Sequence, residues 1–160
     1  MENKYFLHRV QKENGEFSKG IEVHDTLDAA ILSFYGRMKL GFNNPDRPNL
    51  TFIACKITDA TGVTILPYNF SWNKNETDNV FFMHHIRNED GVFDKNIDIC
   101  DTFDQALRTY AAAMEYGFNN PQHPKVSFVS CFITDVLSGG EILKGKTWNK
   151  PEAVEETFDE

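Results

Sequence analysis

The sequence predicts an α+β fold of two tandem ββαββ units, each an antiparallel sheet with one helix, packed together as an intramolecular pseudo-dimer. Three observations predict it. The chain aligns with itself without a gap at an offset of 76 residues, so that Gly-Phe-Asn-Asn-Pro at 41–45 falls on 117–121. Each half carries strand-like alternation on both sides of one stretch with helical periodicity. Turn-forming dipeptides stand at matching places between the strands.

The first two strands of each unit are predicted on either side of a hairpin turn. Phe6, His8 and Val10 alternate with their neighbours in the first unit, and the second unit repeats the pattern. Asn-Gly at 14–15 and Asp-Gly at 90–91 are typical of two-residue hairpins, because these residues tolerate a left-handed backbone. We therefore expect an antiparallel pair of strands at the start of each unit.

A helix is predicted after the second strand of each unit. Asp25 or Thr26 is the candidate N-cap in the first unit, and Asp-Thr recurs at 101–102. Apolar residues then recur at helical spacing. We expect Gly41 and Gly117 to end the helices as left-handed residues, since the proline that follows blocks continuation.

Two further strands complete each unit. Residues 50–57 are dense in apolar side chains and predict the third strand, and a weaker fourth strand is expected around 65–66. Both patterns recur in the second unit. Residues 60–71 share no identity with 136–147, so the copies differ most in the fourth strand.

The repeat defines the predicted domain organisation. The first ββαββ repeat spans 1–76, the second spans 77–150, and an acidic C-terminal tail occupies 151–160. A unit of this size is marginal alone, since a domain of roughly 60 residues buries only about 60% of its unfolded surface. We therefore expect the two units to depend on each other.

Composition and charge exclude several classes of function. No apolar run is long enough to span a bilayer, and the N-terminus lacks the basic start and apolar stretch of a signal peptide. The formal net charge of −8 argues against nonspecific binding to nucleic acid, which needs basic patches. We therefore expect a cytoplasmic protein.

The cysteines and histidines suggest no cofactor. Cys55 and Cys131 stand at equivalent positions in apolar strands, which predicts small buried side chains rather than a redox pair. The remaining candidate ligands are His24, Cys100 and the adjacent histidines at 84–85, and their spacing does not fit a zinc site. We expect neither a metal nor another cofactor.

His8 and His84 are the catalytic candidates if the protein is an enzyme. They stand mid-strand at equivalent positions, where a duplicated fold can bring two imidazoles together for acid–base catalysis. The arrangement resembles the two-histidine phosphoesterases, which are also duplicated and carry His-x-Thr or His-x-Ser in each half. The triplets at 8–10 and 84–86 lack that hydroxyl, so the activity does not carry over. The favoured alternative is structural histidines, each bonded to a backbone carbonyl or a cap.

Three other kinds of residue that occur in both copies are candidates for binding. The paired asparagines offer donors and acceptors, and those before proline are expected to turn outward rather than cap the helix. Each tryptophan either faces a partner or seals its own unit. Each lysine is turned outward by a bulge, covers apolar surface with its stem or binds an anion. The candidates are Asn43, Asn44, Asn119, Asn120, Trp72, Trp148, Lys19 and Lys95.

The order of the shared motifs is itself a pattern: His, Asn/Asp-Gly, Lys, Asp-Thr, Gly-Phe-Asn-Asn-Pro, Phe-x-x-Cys and Ile-Thr-Asp. It resembles that of uncharacterised small proteins of bacteriophages and gut bacteria, and the resemblance covers both units. It implies an accessory protein, either a virion component or a counter-defence factor that binds a host protein or a signalling molecule. A phage-encoded protein of this kind would act in the host cytoplasm or the virion.

The sequence therefore favours a non-enzymatic binding protein whose site is the groove between the units or the paired loops at 41–45 and 117–121. The expected partner is a protein or a small polar ligand, and self-association stays open. One alternative is an enzyme that acts on a phosphoester or nucleotide through His8 and His84. Another is a structural protein that assembles with itself or with a capsid.

Overall fold

The computed structural model describes residues 3–151, and in this range the order ββαββ occurs twice. The predicted α+β fold with tandem units is confirmed. The predicted acidic tail lies outside the described residues except for Pro151. The elements are β1 (Tyr5–Glu13), β2 (Glu16–His24), α1 (Leu27–Met38), β3 (Leu50–Asp59), β4 (Thr64–Asn73), β5 (Phe81–Glu89), β6 (Val92–Cys100), α2 (Phe103–Met114), β7 (Val126–Asp135) and β8 (Glu141–Asn149).

Both predicted hairpins are present. Asn14 and Gly15 have φ angles of 54° and 80°, and Asp90 and Gly91 have φ angles of 54° and 83°. Two successive left-handed residues form the type I′ turn, whose twist matches that of the flanking strands. The first two strands of each unit consequently pair in an unbroken antiparallel register.

Threonine caps both helices. The hydroxyl oxygens of Thr26 and Thr102 accept hydrogen bonds from backbone amides three residues later, at 3.2 Å and 3.1 Å. Asp25, the other candidate cap, forms an ion pair with Lys4 instead. Each helix has 12 residues, and no helix in the described part of the chain is long and apolar enough to cross a membrane.

The glycines that follow the helices have a different role from the predicted one. The residues with a left-handed backbone are Phe42 and Asn43 in the first unit and Phe118 and Asn119 in the second, with φ angles between 56° and 61°. A Cβ atom on Gly41 would lie 2.9 Å from the side chain of Ile53 and 3.3 Å from the ring of Trp72. A Cβ atom on Gly117 would lie 3.1 Å from the ring of Trp148. Glycine therefore stands here because the indole packs directly against the backbone.

The protein has four layers. The strand orders are β2-β1-β3-β4 and β6-β5-β7-β8, and both sheets are antiparallel. α1 packs on β1, β2 and β3, and α2 packs on β5, β6 and β7. The last strand of each unit, β4 or β8, therefore lies beside the helix rather than beneath it. The other faces of the two sheets pack on each other, so the order of layers is helix, sheet, sheet, helix.

The two sheets share a central core to which both units contribute. Phe6 stacks on Phe128 with ring centroids 5.8 Å apart. The equivalent pair, Phe52 and Phe82, stacks at 6.1 Å. All four rings are buried. Each sheet therefore buries one face under its own helix and the other face only when the second unit is present.

Residues 74–80 connect the units and contact both of them. The carboxylate of Glu76 accepts a hydrogen bond from Lys12 of the first unit at 3.0 Å. The amide of Asn79 donates to Asp135 of the second unit at 3.2 Å. The connection therefore lies against the interface between the units.

The side chains of Cys55 and Cys131 are buried, as predicted, and that of Cys100 is buried as well. Cys55 and Cys131 lie at equivalent places beneath the two helices, and Cys100 ends β6. All three are free thiols. Burial raises the pKa of Cys55 and of Cys131 to about 12, so both thiols are protonated and unreactive near neutral pH.

Candidate functional site

His8 and His84 meet at the centre of the interface between the sheets. Their Nδ1 atoms lie 3.3 Å apart. The two residues expose only 2% and 4% of their surface. Because the same atom of equivalent residues is in contact, the pair lies on the pseudo-twofold axis that relates the units.

Each imidazole also bonds a threonine of the neighbouring strand. Nε2 of His8 lies 2.9 Å from Oγ1 of Thr58, and Nε2 of His84 lies 2.9 Å from Oγ1 of Thr134. The partners are therefore side-chain hydroxyls and not the backbone carbonyl or cap that the sequence suggested. Since one neutral ring donates from Nδ1 and the other accepts, one hydroxyl donates and the other accepts. This pairing accounts for the threonine of the Ile-Thr-Asp motif in both copies.

Both imidazoles are uncharged at neutral pH. Burial, and then the charge of Lys56, lowers the pKa of His8 to about 3. Burial, and then the proximity of His8, holds the pKa of His84 well below its ordinary value. Neutral rings are what the contact requires, because two protonated rings would place N–H donors face to face.

Lys56 breaks the symmetry of this centre. It lies opposite His8 in the sheet, whereas the equivalent residue of the second unit is Phe132. Its ammonium group lies 4.4 Å from the centroid of the Phe132 ring and forms an ion pair with Glu141 of the second unit. Burial lowers the pKa of Lys56, and the bond to Glu141 opposes that change. Phe132 also stacks on His84 at 4.2 Å.

The centre leaves no room for a substrate. The cavity beside the rings of His8 and His84 has a volume of about 20 Å³. That is space for one water molecule. Both nitrogens of each ring already have partners within the protein. This geometry favours the structural role, and we do not propose the phosphoester activity.

The asparagines before proline cap the ends of the helices. Nδ2 of Asn44 donates to the carbonyl of Lys39 at 3.0 Å, and Nδ2 of Asn120 donates to the carbonyl of Glu115 at 2.6 Å. Their Oδ1 atoms accept hydrogen bonds from backbone amides two residues later. The prediction that these side chains turn outward is wrong, because they satisfy carbonyls that the helix leaves free. The asparagines at 43 and 119 are exposed, and binding there stays a prediction.

Trp72 and Trp148 pack within their own units. Each is half-buried and contributes to the core beneath its helix. Phe42 lies beside Trp72 with ring centroids 6.2 Å apart, and Phe118 lies beside Trp148 at 5.9 Å. Of the two alternatives for the tryptophans, the structure shows contacts that seal the unit.

Lys19 and Lys95 stand at equivalent places in the edge strands β2 and β6 and are half-buried. The register of β1 and β2 is regular at Lys19, so no bulge turns its side chain away. Its ammonium group donates to Oδ1 of Asn96 in the other unit at 3.3 Å. Lys19 therefore takes part in the contact between the units.

A pocket of about 530 Å³ opens on the first unit beside α1 and β4. Its deepest residues, Phe34 and Met38, are each 4% exposed. Tyr35, Phe42 and Phe70 stand around it, and each exposes at least half of its surface. The lining residues are Phe34, Tyr35, Met38, Lys39, Phe42, Pro67 and Phe70.

A bulge in β4 contributes to the shape of this pocket. Residues 65–69 of β4 oppose only two residues of β3. In the second unit, residues 142–145 of β8 oppose two residues of β7, so this bulge is one residue shorter. Pro67 stands in the longer bulge and lines the pocket.

The matching surface of the second unit lacks two of the aromatic rings of the pocket and carries the opposite charge at the end of the helix. Phe70 and Lys146 are equivalent because they pair with equivalent residues of β3 and β7. Equivalent positions near the end of each helix follow from the ungapped repeat. The differences are Tyr35 to Ala111, Lys39 to Glu115 and Phe70 to Lys146.

This pocket is not among the predicted sites, although two signals in the sequence point to it. The complete divergence of 60–71 from 136–147 marks the strand that lines it. In that strand, residues 68–72 of the first unit carry three aromatic side chains, and residues 144–148 of the second carry one. Such a difference between two copies of one fold indicates a surface whose role differs between them.

Comparisons of the chain with protein-family models, with curated proteins and with solved structures give no match. The function is therefore inferred from the geometry of the molecule.

Proposed function

We propose that this protein is a non-enzymatic binding protein and that its site is the pocket beside α1 and β4 of the first unit. The proposed occupant is a small apolar molecule. The observation that carries the proposal is the difference between the copies. Tyr35 and Phe70 line the pocket of the first unit, and alanine and lysine stand at the equivalent positions of the second unit, 111 and 146.

The size and lining of the pocket are those of a small-molecule site. Its volume of about 530 Å³ lies within the range of roughly 300–1,000 Å³ that is common for such sites. Four aromatic rings, a methionine and a proline supply the apolar lining, and the polar side-chain groups are the hydroxyl of Tyr35 and the ammonium of Lys39. Burial of apolar surface would thus supply most of the affinity.

The exposure of these rings also favours an occupant. Tyr35, Phe42 and Phe70 are 58%, 52% and 50% exposed. Single exposed apolar residues are common, but several around one cavity form a patch that marks a site of interaction. A molecule that fills the pocket removes this surface from water.

The sites that the sequence suggested fit a ligand less well. The amides of Asn44 and Asn120 are engaged with the helix ends, and the centre of the interface is filled by the histidine pair. Phe42, however, belongs to the first of the two predicted loops and lines the pocket. The proposal therefore keeps one predicted loop as part of the site and replaces the small polar ligand by an apolar one.

Fluorescence titration with N-phenyl-1-naphthylamine, a neutral apolar dye, tests this function. We expect saturable binding of one dye per chain. Phe70→Lys, which installs the residue found at the equivalent place of the second unit, should weaken binding more than about tenfold, or about 1.4 kcal/mol. Because Lys146 occupies that place in the second unit, lysine is compatible with the strand.

The matched control is Phe118→Ala, which removes the equivalent of Phe42 from the second unit. It should bind the dye as the parent does, whereas Phe42→Ala should bind it more weakly. Near-ultraviolet circular dichroism of each variant verifies that the fold is intact. The proposal fails if Phe70→Lys and Phe42→Ala keep the parent affinity, or if the parent does not bind.

A further inference from the structure

We infer that the molecule bound by this pocket is an amphipathic anion, with an aromatic body in the pocket and one acidic group at Lys39. This inference rests on the proposed function and adds the chemical class of the ligand. It depends on the one charged residue in the lining and on its replacement by an acid in the other unit.

Lys39 is an available cation at the edge of an apolar site. It is exposed and lines the pocket together with Tyr35 and Phe42. Among residues 3–151 it takes part in no ion pair. Nearby Arg37, in contrast, is paired with Glu22. The ammonium group of Lys39 is therefore free to pair with an acidic group of the ligand.

The end of the helix does not by itself explain the lysine. Lys39 is the C-cap residue of α1, where the helix dipole favours a cation. Glu115 is the C-cap residue of α2, and that helix ends in the same way, with an asparagine on the cap carbonyl. The fold accepts an acidic residue at this position of α2. The lysine at the end of α1 is therefore explained by the pocket rather than by the helix.

The net charge of the whole protein bears on how an acidic ligand would be attracted to Lys39. The formal net charge is −8, so the protein as a whole repels anions. Screening limits that repulsion to about 8 Å at physiological ionic strength, so a lysine within that distance can attract an acidic group of the ligand. An acidic group beside Tyr35 and Lys39 can also accept a hydrogen bond from the tyrosine hydroxyl.

Two dyes that share one ring system test the inference. 8-Anilinonaphthalene-1-sulfonate is N-phenyl-1-naphthylamine with an added sulfonate, so the pair differs by one negative charge. Lys39→Met should weaken binding of the sulfonate by about two- to fivefold, the range for an exposed ion pair, and leave the neutral dye within about twofold. Lys39→Glu should weaken binding of the sulfonate dye further, by about tenfold relative to the parent, because the carboxylate repels the sulfonate. Lys144→Met, a change to an exposed lysine of β8, is the matched control and should alter neither affinity.

Ionic strength supplies a second readout. Raising sodium chloride from 20 to 300 mM should weaken binding of the sulfonate dye to the parent protein. It should have little effect on binding to Lys39→Met. If the Lys39 variants change the affinities for both dyes equally, or change neither affinity, the inference of an anionic ligand is wrong. The proposed apolar pocket is not affected by that result. If the neutral dye does not bind the parent at all, the proposed function itself fails.

Discussion

At the scale of single residues, the histidine pair shows how polar groups are accommodated in a packed interface. His8 and His84 bond each other through Nδ1 and bond Thr58 and Thr134 through Nε2. Loss of one ring leaves its two former partners unsatisfied, which costs about 1–3 kcal/mol for a buried group. Both copies thus keep a histidine and a threonine for structural reasons.

The same pair makes stability depend on pH. A histidine in the unfolded chain takes up a proton near pH 6.5, whereas the pKa of His8 in the folded protein is about 3 and that of His84 is also lowered. Between these values the unfolded state binds more protons, so the free energy of unfolding falls as pH drops below 6.5. We expect His8 to contribute up to about 1.4 kcal/mol per pH unit in this range, and His84 to contribute with the same sign.

Urea denaturation between pH 7.5 and 5.0 measures this effect. His8→Gln should lower stability by about 1–3 kcal/mol at pH 7.5 and should remove about half of the histidine-dependent slope. Lys56, whose charge acts on both rings, and its ion-pair partner Glu141 stay in place in this variant. Thr58→Val, which removes the hydroxyl partner of His8 and leaves both buried imidazoles in place, is the control and should keep the parent slope. Equal slopes in the parent and His8→Gln would show that the pair does not control this dependence.

At the scale of secondary structure, local patterns suffice to predict the elements. The left-handed residues at 14–15 and 90–91 determine both hairpins, and periodicity separates the strands from the helices. The error over Gly41 and Gly117 has a physical cause. Glycine has two uses, left-handed backbone and close approach, and only the position of the tryptophan ring decides between them.

The pocket could not be predicted in the same way. It needs residues from α1, from the loop after it and from β4, and α1 does not lie over that strand. The bulge at 65–69 also shifts the alternation of β4, so periodicity does not tell which side chains face the helix. The buried Lys56 escaped prediction for a similar reason, because its partners Phe132 and Glu141 come from the other unit.

At the scale of the whole molecule, the central core makes the two units interdependent. Phe6, Val10, Ile21 and Phe52 of the first unit are buried against the second sheet. A single unit would expose this face, an apolar area too large for a stable monomer of this size.

Residues 1–76 expressed alone are therefore expected to be unfolded, aggregated or dimeric. A homodimer would imitate the full chain by placing two copies of His8 across a true twofold axis, with Phe6 of each copy stacked on Phe52 of the other. Sedimentation at low micromolar concentration, together with amide resonance dispersion, checks this result against the full chain. A well-folded monomer of the fragment would contradict the interdependence of the units.

Within this symmetric frame, the surfaces of the two units differ. The central contacts repeat across the pseudo-twofold axis, while the surface beside α1 and β4 carries Tyr35 and Phe70 where its counterpart beside α2 and β8 carries Ala111 and Lys146. A single apolar site in the first unit, with the second unit as its scaffold, is the arrangement that the proposed function requires.

The most direct test is to map amide chemical-shift changes on the full-length protein as 8-anilinonaphthalene-1-sulfonate is added. The two units provide an internal control, since they share a fold and differ at the proposed site. We expect the changes to concentrate at residues 34–42 and 66–70, with the equivalent residues 110–118 and 142–146 largely unaffected. Changes of equal size in both units, or changes confined to the interface between them, would contradict the claim that the first unit holds the binding site.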